Sequence, residues 1–159
     1  MNDFAAELGP GYLNLPLRRL AQRLAAEGDI YLQRTGVNVS ARATAILAYI
    51  ARNEQTPIVH IAEALGYTHP AVAKAVEKLE QDGIVQSRSN KEDLRRRYVS
   101  LTRKGKQEMR KIDEVARHAS AVFEDIFEEI GVDLFDAILE FERALDRRPL
   151  VGRMEDETR

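Results

Sequence analysis

The residues best suited to chemistry in this 159-residue chain are basic side chains concentrated between positions 84 and 111. That segment has ten Lys and Arg against three Asp and Glu, a net charge of +7, whereas the whole chain has a net charge of −2. Residues 1–83 have a net charge of −1 and residues 112–159 a net charge of −8. Because a polyanion responds to the local patch and not to the summed charge, the segment predicts contact with nucleic acid. The alternative is that both charged segments are solvated faces.

The segment Thr68–Asp82 is predicted to form a short helix that ends at Gly83. Val72, Val76 and Leu79 recur at helical spacing and define its inward side. Small side chains on the other side allow close approach to base edges, and a lysine can reach guanine or a phosphate. For Lys74 taken alone, a solvated surface lysine is the alternative. The residues of this helix predicted to contact DNA are Thr68, His69, Ala71, Ala73, Lys74 and Lys78.

After this helix, Ile84–Arg88 and Arg96–Leu101 alternate as two strands of a β-hairpin joined by turn residues. An arginine at the hairpin tip suits a narrow minor groove, while the preceding helix fits the major groove. We predict that Asp93 has a structural role, in which its carboxylate holds Arg95 and rigidifies the tip. The hairpin residues predicted to contact DNA are Arg88, Lys91, Arg95, Arg96 and Arg97.

The rest of the chain is predicted to be helical. Leucines at helical spacing favour a helix over about residues 13–35, closed by Gly36. Further helices are predicted to begin at a capping Ser40, at Thr56-Pro57, at Thr68 and at Thr102. The helix that begins at Thr102 is predicted to end at Gly131, and a last helix to span about Asp133–Arg147.

These elements predict a mainly α fold with a small β-hairpin wing, a winged helix-turn-helix with N- and C-terminal dimerisation helices. Leu, Phe and Ile in the terminal helices exceed what a small DNA-binding lobe needs for its core, which favours a homodimer. The alternative is that these helices pack on their own domain. The predicted parts are an N-terminal arm and dimerisation helix (1–35), a DNA-binding lobe (36–105), C-terminal dimerisation helices (106–147) and a frayed tail (148–159).

Two segments resemble the MarR family of bacterial transcriptional regulators: IAEALGYTHPAVAKAVEKLEQDGIV at 61–85 and DLRRRYVSLTRKG at 93–105. The resemblance extends over roughly Leu13 to Leu145. It implies a homodimer held by the terminal helices, with Arg95 entering the minor groove and Lys74 at a position that is often basic. Leu94 replaces a frequent arginine and Ala73 a frequent serine. The family wing reads Asp-x-Arg and then Leu-Thr-x-x-Gly, here Asp93, Arg95, Leu101, Thr102 and Gly105.

The resemblance also implies a pocket for a small aromatic or phenolic effector between the dimer helices and the DNA-binding lobe. For each candidate residue, an ordinary packing or surface role is the alternative. The chain has no cysteine, and the spacing of its three histidines suggests no metal site, so we predict neither a metal nor a cofactor. The candidate effector residues are aromatic or cationic: Tyr12, Arg18, Arg19, Tyr31, Arg42 and Tyr49.

The sequence thus predicts a transcriptional regulator, a ligand-responsive repressor that binds a palindromic operator as a homodimer. The alternative is a winged-helix protein–protein interaction module without a DNA role. An enzyme is least favoured, because the sequence shows no phosphate loop, metal cluster or nucleophile with a nearby base. No apolar run has the length of a membrane helix and the N-terminus does not resemble a secretory signal, so we expect a cytoplasmic protein.

Overall fold

The computed structural model describes residues 4–89 and 97–157, which fall into two compact units, Met1–Val115 and Ala116–Arg159. The first unit begins with α1 (Phe4–Leu8) and a short 3-10 turn (Pro10–Tyr12). Its further elements are α2 (Asn14–Arg34), α3 (Ala41–Arg52), β1 (Thr56–Pro57), α4 (Ile58–Leu65), α5 (His69–Gln81), β2 (Val85–Ser89) and β3 (Arg97–Leu101). The chain continues with α6 (Arg103–Ile130), which runs past the boundary between the units, α7 (Leu134–Arg147) and α8 (Leu150–Glu157).

The core of the first unit includes the inward side that the sequence predicts for α5. Ala43, Ile46, Leu47 and Ile50 of α3 are buried, and so are Val72, Val76 and Leu79 of α5. Both predicted hairpin strands are present, each within one residue of its predicted start. The strands form an antiparallel sheet in the order β1-β3-β2, so the mainly α fold with a small hairpin wing is confirmed.

Helices α4 and α5 are joined by the tight turn that a helix-turn-helix needs. Gly66 has a φ of 62°, which costs glycine little, and it ends α4 in the left-handed conformation. The next amide, that of Tyr67, donates back to the carbonyl of Ala62 at 2.9 Å. This pattern satisfies carbonyl groups at the helix end while turning the chain sharply. Helix α5 therefore starts only a few residues after α4 ends.

One predicted helix start and one predicted helix cap differ in the structure. Thr56-Pro57 does not begin α4; it forms β1, in which Thr56 pairs with Val99, and α4 begins at Ile58. Pairing with a strand far along the chain places Thr56 in the sheet, which the local pattern does not reveal. Thr68 occupies the residue before α5 as predicted, but its hydroxyl makes no capping hydrogen bond. The predicted caps at Ser40 and Thr102 are confirmed.

The second unit contains the later part of α6 with α7 and α8. Along α6, the rings of Phe123 and Phe127 stack with their centres 6.4 Å apart. Residues 150–157 form α8, so a helix occupies most of the segment for which we predict a frayed tail. Arg153 of this helix donates to the carbonyl of Ala144 at 2.8 Å, which ties α8 to α7. Among the described residues, no helix is long and apolar enough to cross a membrane.

Candidate nucleic-acid interface

Helix α5 presents one continuous face away from the core. Val72, Val76 and Leu79 are buried on one side, so residues on the opposite side point outward. Ala71 and Ala73, which we predict to contact DNA, are half-buried and lie at the margins of this face. The exposed residues recur at spacings of three and four, which places them on the same side of the helix. These exposed residues form the outward face of α5: Pro70, Lys74, Glu77, Lys78 and Gln81.

The charged residues of α5 differ in whether the protein itself neutralises them. The Lys78 Nζ lies 2.9 Å from the Asp82 Oδ1, and Glu80 forms an ion pair with Arg97 of β3. In contrast, Lys74 and Glu77 have no ion-pair partner within residues 4–89 and 97–157. Lys74 is therefore the lysine of α5 most available to an external anion. Glu77 is not among the residues that the sequence predicts to contact DNA, although its spacing of three from Lys74 places it on the same face.

The N-terminal end of α5 is exposed, as expected from its position after the turn. Thr68 and His69 are both solvent-exposed, and the Thr68 hydroxyl is not used as a helix cap. A helix N-terminus favours a phosphate because its free N–H groups and its dipole point outward. Next to this end, the Arg42 guanidinium carbon lies 5.6 Å from the centre of the Tyr67 ring. This cation–π contact connects the start of α3 to the turn before α5.

The two described arginines of the wing lie on different faces of the hairpin. Arg88 is exposed and lies opposite Tyr98 in the register of the two strands. Arg97 is on the other face with the buried Val99, and its guanidinium binds Glu80. Arg97, which we predict to contact DNA, is thus held by a carboxylate of α5. Four other predicted wing residues lie outside the described residues: Lys91, Asp93, Arg95 and Arg96.

The wing is fixed to α5 by the first turn of α6. The Thr102 hydroxyl donates to the carbonyl of Gly83 at 2.7 Å and accepts the Gly105 N–H at 3.0 Å. Glycine at position 105 allows the start of α6 to approach the backbone of Ile84 closely, because a Cβ at this position would lie 2.1 Å from the Ile84 carbonyl oxygen. The Leu-Thr-x-x-Gly pattern therefore has a structural reason. It locks the start of α6 against the junction between α5 and β2.

Part of the +7 segment is occupied by contacts within the protein. Besides Arg97, Lys104 donates to the backbone carbonyl of Asp82 at 2.7 Å. Lys111 lies 3.1 Å from the Glu108 carboxylate and donates to the carbonyl of Gly36 at 3.0 Å. These lysines hold α6 to neighbouring elements. The backbone acceptors, Asp82 and Gly36, are distant in sequence from these lysines, so no local sequence pattern predicts those contacts.

The structure does not gather the candidate effector residues at one place in a single chain. Arg18 and Tyr31 lie on α2, separated along its axis by about 20 Å at the usual helical rise. Tyr49 is half-buried against the core of the first unit, and Arg42 lies over Tyr67. Tyr12 precedes α2 and Arg19 follows Arg18 on it. No group of three or more His, Asp or Glu within the described ranges could hold a metal ion.

Comparison with known proteins agrees with this geometry. Residues 35–96 match the family model of the MarR family. No curated protein sequence matches the chain. The transcriptional regulator BldR from Sulfolobus solfataricus is 25% identical; the match covers 92% of this chain and 99% of BldR, with a TM-score of 0.66.

Two further solved structures are similar in fold and were determined with a bound molecule. The PcaV transcriptional regulator from Streptomyces coelicolor, in complex with its natural ligand, is 20% identical, with 93% of this chain and 99% of PcaV covered and a TM-score of 0.67. MepR from S. aureus, in a complex with DNA, is 17% identical, with 81% of this chain and 97% of MepR covered and a TM-score of 0.67.

The predicted resemblance to the MarR family is therefore confirmed. The fold is a winged helix-turn-helix, and it is similar to the fold of solved transcriptional regulators. The match at residues 35–96 extends from the last residue before the predicted DNA-binding lobe to the wing and includes the whole outward face of α5.

Proposed function

We propose that this protein regulates transcription by binding a palindromic operator as a homodimer, with α5 in the major groove and the β2–β3 hairpin at an adjacent minor groove. The observation that carries the proposal is Lys74 on the outward face of α5, which has no ion-pair partner among the described residues and lies on the helix to which Thr102 and Glu80 fix the basic hairpin. A helix and a hairpin held rigidly together match two neighbouring grooves of a duplex. MepR, which has a similar fold, was solved in a complex with DNA.

Exposed apolar side chains support a homodimer. At the start of α2 and along it, a stripe of leucines at helical spacing is 37 to 44% exposed: Leu13, Leu17, Leu20 and Leu24. In the second unit, α6 and α7 expose a larger set: Val122, Phe123, Ile126, Ile130, Phe135, Ile138 and Phe141. Apolar surface of this extent marks an interaction site, and a second copy of the chain would cover it. A two-fold protein also matches a palindromic site, because each copy then reads one half-site.

We further propose that the protein is a repressor released by a small aromatic or phenolic effector. PcaV was solved with its natural ligand, which supports a ligand-responsive regulator on this fold. The candidate pocket residues remain Tyr12, Arg18, Arg19, Tyr31, Arg42 and Tyr49. Because about 20 Å of helix separates Arg18 from Tyr31, a pocket that uses both side chains would take them from two copies. An effector that binds only the DNA-free arrangement would lower operator affinity.

A salt titration tests DNA binding directly. The affinity for a palindromic fragment from the DNA upstream of the protein's own gene is measured by fluorescence anisotropy between 50 and 200 mM salt. We expect tight binding at low salt and a linear fall of log affinity with log salt, because lysines and arginines displace counterions from phosphates. Lys74→Ala and Arg88→Ala should each weaken binding by about tenfold. Arg117→Ala, in the second unit, is the matched control and should change the affinity less than twofold.

Absence of binding at low salt, or affinity that does not change with salt, would contradict the proposal. In that case a winged-helix interaction module without a DNA role is the better explanation. That alternative also predicts that Lys74→Ala and Arg88→Ala leave every measured activity unchanged.

A further inference from the structure

The outward face of α5 has a carboxylate near its middle. Attraction of this face to phosphates does not explain why a negative charge is placed there. Glu77 lies three residues after Lys74 and four residues before Gln81, so the three side chains share one side of the helix. All three are exposed. The neighbouring acids have partners in the protein, since Asp82 binds Lys78 and Glu80 binds Arg97. Within the described part of the chain, Glu77 has no ion pair.

An unpaired carboxylate near the DNA backbone lowers affinity through repulsion. The same group is useful only where a donor faces it. The major groove offers two such donors, the N4 amino group of cytosine and the N6 amino group of adenine. The adenine donor lies beside the N7 acceptor, which repels a carboxylate, so a Glu or Asp carboxylate accepts hydrogen bonds from cytosine in preference, whereas Lys donates to the O6 and N7 of guanine. A spacing of three residues advances about 4.5 Å along the helix, and successive base pairs are about 3.4 Å apart. Lys74 and Glu77 can therefore reach the same or neighbouring base pairs.

We propose that Glu77 is a specificity-determining residue that selects a cytosine in each half-site of the operator, beside a guanine contacted by Lys74. The proposal rests on the DNA-binding function proposed above and specifies which bases the outward face reads. In this proposal, the carboxylate of Glu77 determines which base sequence the protein prefers. The same carboxylate lowers the affinity for DNA of arbitrary sequence.

The test is a selection of bound duplexes from a pool with randomised half-sites, performed with the wild-type protein and with Glu77→Gln. Glutamine keeps the length of the side chain, favours the helix, and can both donate and accept, which suits adenine better than cytosine. Glu114→Gln is the control, because it removes the same charge from an exposed residue of α6. Affinities for the selected duplex and for its single-base variants are then measured at one salt concentration.

For the wild type we expect a preference of about tenfold for cytosine at one position of each half-site. Glu77→Gln should abolish this preference, or transfer it to adenine, and leave the other positions unchanged. It should also bind duplexes of unrelated sequence at least as tightly as the wild type. Glu114→Gln should keep the wild-type preference.

Two results would overturn the inference while leaving DNA binding intact. One is an equal change in affinity for every duplex with unchanged base preferences, which would show that Glu77 acts through charge alone. The other is no change in either property, which would place Glu77 outside the groove. If the wild type binds no duplex at low salt, both this inference and the proposed function fail. Circular dichroism and thermal unfolding of Glu77→Gln verify that the variant is folded.

Discussion

The guanidinium of Arg97 in β3 binds the carboxylate of Glu80 in α5, across a sequence separation of 17 residues. This ion pair connects the wing to the helix that carries the outward face. Both side chains are partly exposed, 39% for Arg97 and 23% for Glu80, so the pair adds at most about 1 kcal/mol to stability. Its main effect is to fix the hairpin relative to the helix.

A double-mutant cycle of Glu80→Gln and Arg97→Gln measures this coupling. We expect each single variant to weaken operator binding about three- to tenfold, because a wing that is free to move relative to α5 makes fewer simultaneous contacts. The double variant should be little worse than either single one. Strictly additive losses would mean that Arg97 contacts DNA by itself. The exposed Lys78–Asp82 pair offers a control, since Asp82→Asn should leave the fold and its stability nearly unchanged.

Gly105→Ala is expected to destabilise the first unit. The added Cβ would lie 2.1 Å from the carbonyl oxygen of Ile84, and backbone cannot move aside as a flexible side chain can. The free energy of unfolding in urea should fall by about 2 kcal/mol or more, even though alanine favours helices. Gly152→Ala is the matched control in α8, where a new Cβ meets no atom within 4 Å. If both variants had the same stability as the wild type, the close approach of α6 to Ile84 would be disproved.

Glu108 connects α6 to the loop between α2 and α3, and its removal should also destabilise the first unit. Its buried carboxylate accepts the Asn38 N–H at 2.8 Å and the Lys111 ammonium at 3.1 Å. Glu108→Ala leaves both donors without this acceptor and should lower the free energy of unfolding by about 1–3 kcal/mol. Glu108→Gln keeps a carbonyl oxygen and should cost less. The exposed Glu114→Gln should change stability by less than about 0.5 kcal/mol. Equal effects of the three variants would contradict the role of Glu108.

Charges placed in the exposed apolar stripes are expected to dissociate the homodimer. Leu20→Asp in α2 and Ile126→Asp in α6 introduce a carboxylate where the proposed partner would cover apolar surface. By analytical ultracentrifugation the wild type should be a dimer, and each variant should have a dissociation constant more than tenfold higher. Val59→Asp, an exposed apolar residue of α4, should stay dimeric. A monomeric wild type would contradict the proposed dimer. Leu20→Ala adds no charge, so a weaker dimer of this variant that is still folded would show loss of association without loss of fold.

Local sequence patterns predicted much of this fold, because helix, strand and turn patterns depend on residues that are close together along the chain. The inward sides of α3 and α5 follow from helical spacing, and the ends of α4 and α5 follow from Gly66 and Gly83, whose φ values are 62° and 69°. The strands of the wing follow from their alternation. For the same reason, the outward position of Lys74 could be predicted, because the buried Val72 and Val76 determine it.

Other features required the tertiary structure, since they are set by residues far apart in sequence. The pairing of Thr56 with Val99 turned a predicted helix start into a strand. The carboxylate of Glu80 gave Arg97 a partner within the protein, and the backbone carbonyls of Asp82 and Gly36 gave Lys104 and Lys111 acceptors that are far away in sequence. The sequence by itself determined where the basic charge is concentrated and which side of α5 faces outward. Only the tertiary structure decided which of those charges the protein neutralises, because an ion pair depends on the distance between side chains and not on their order along the chain.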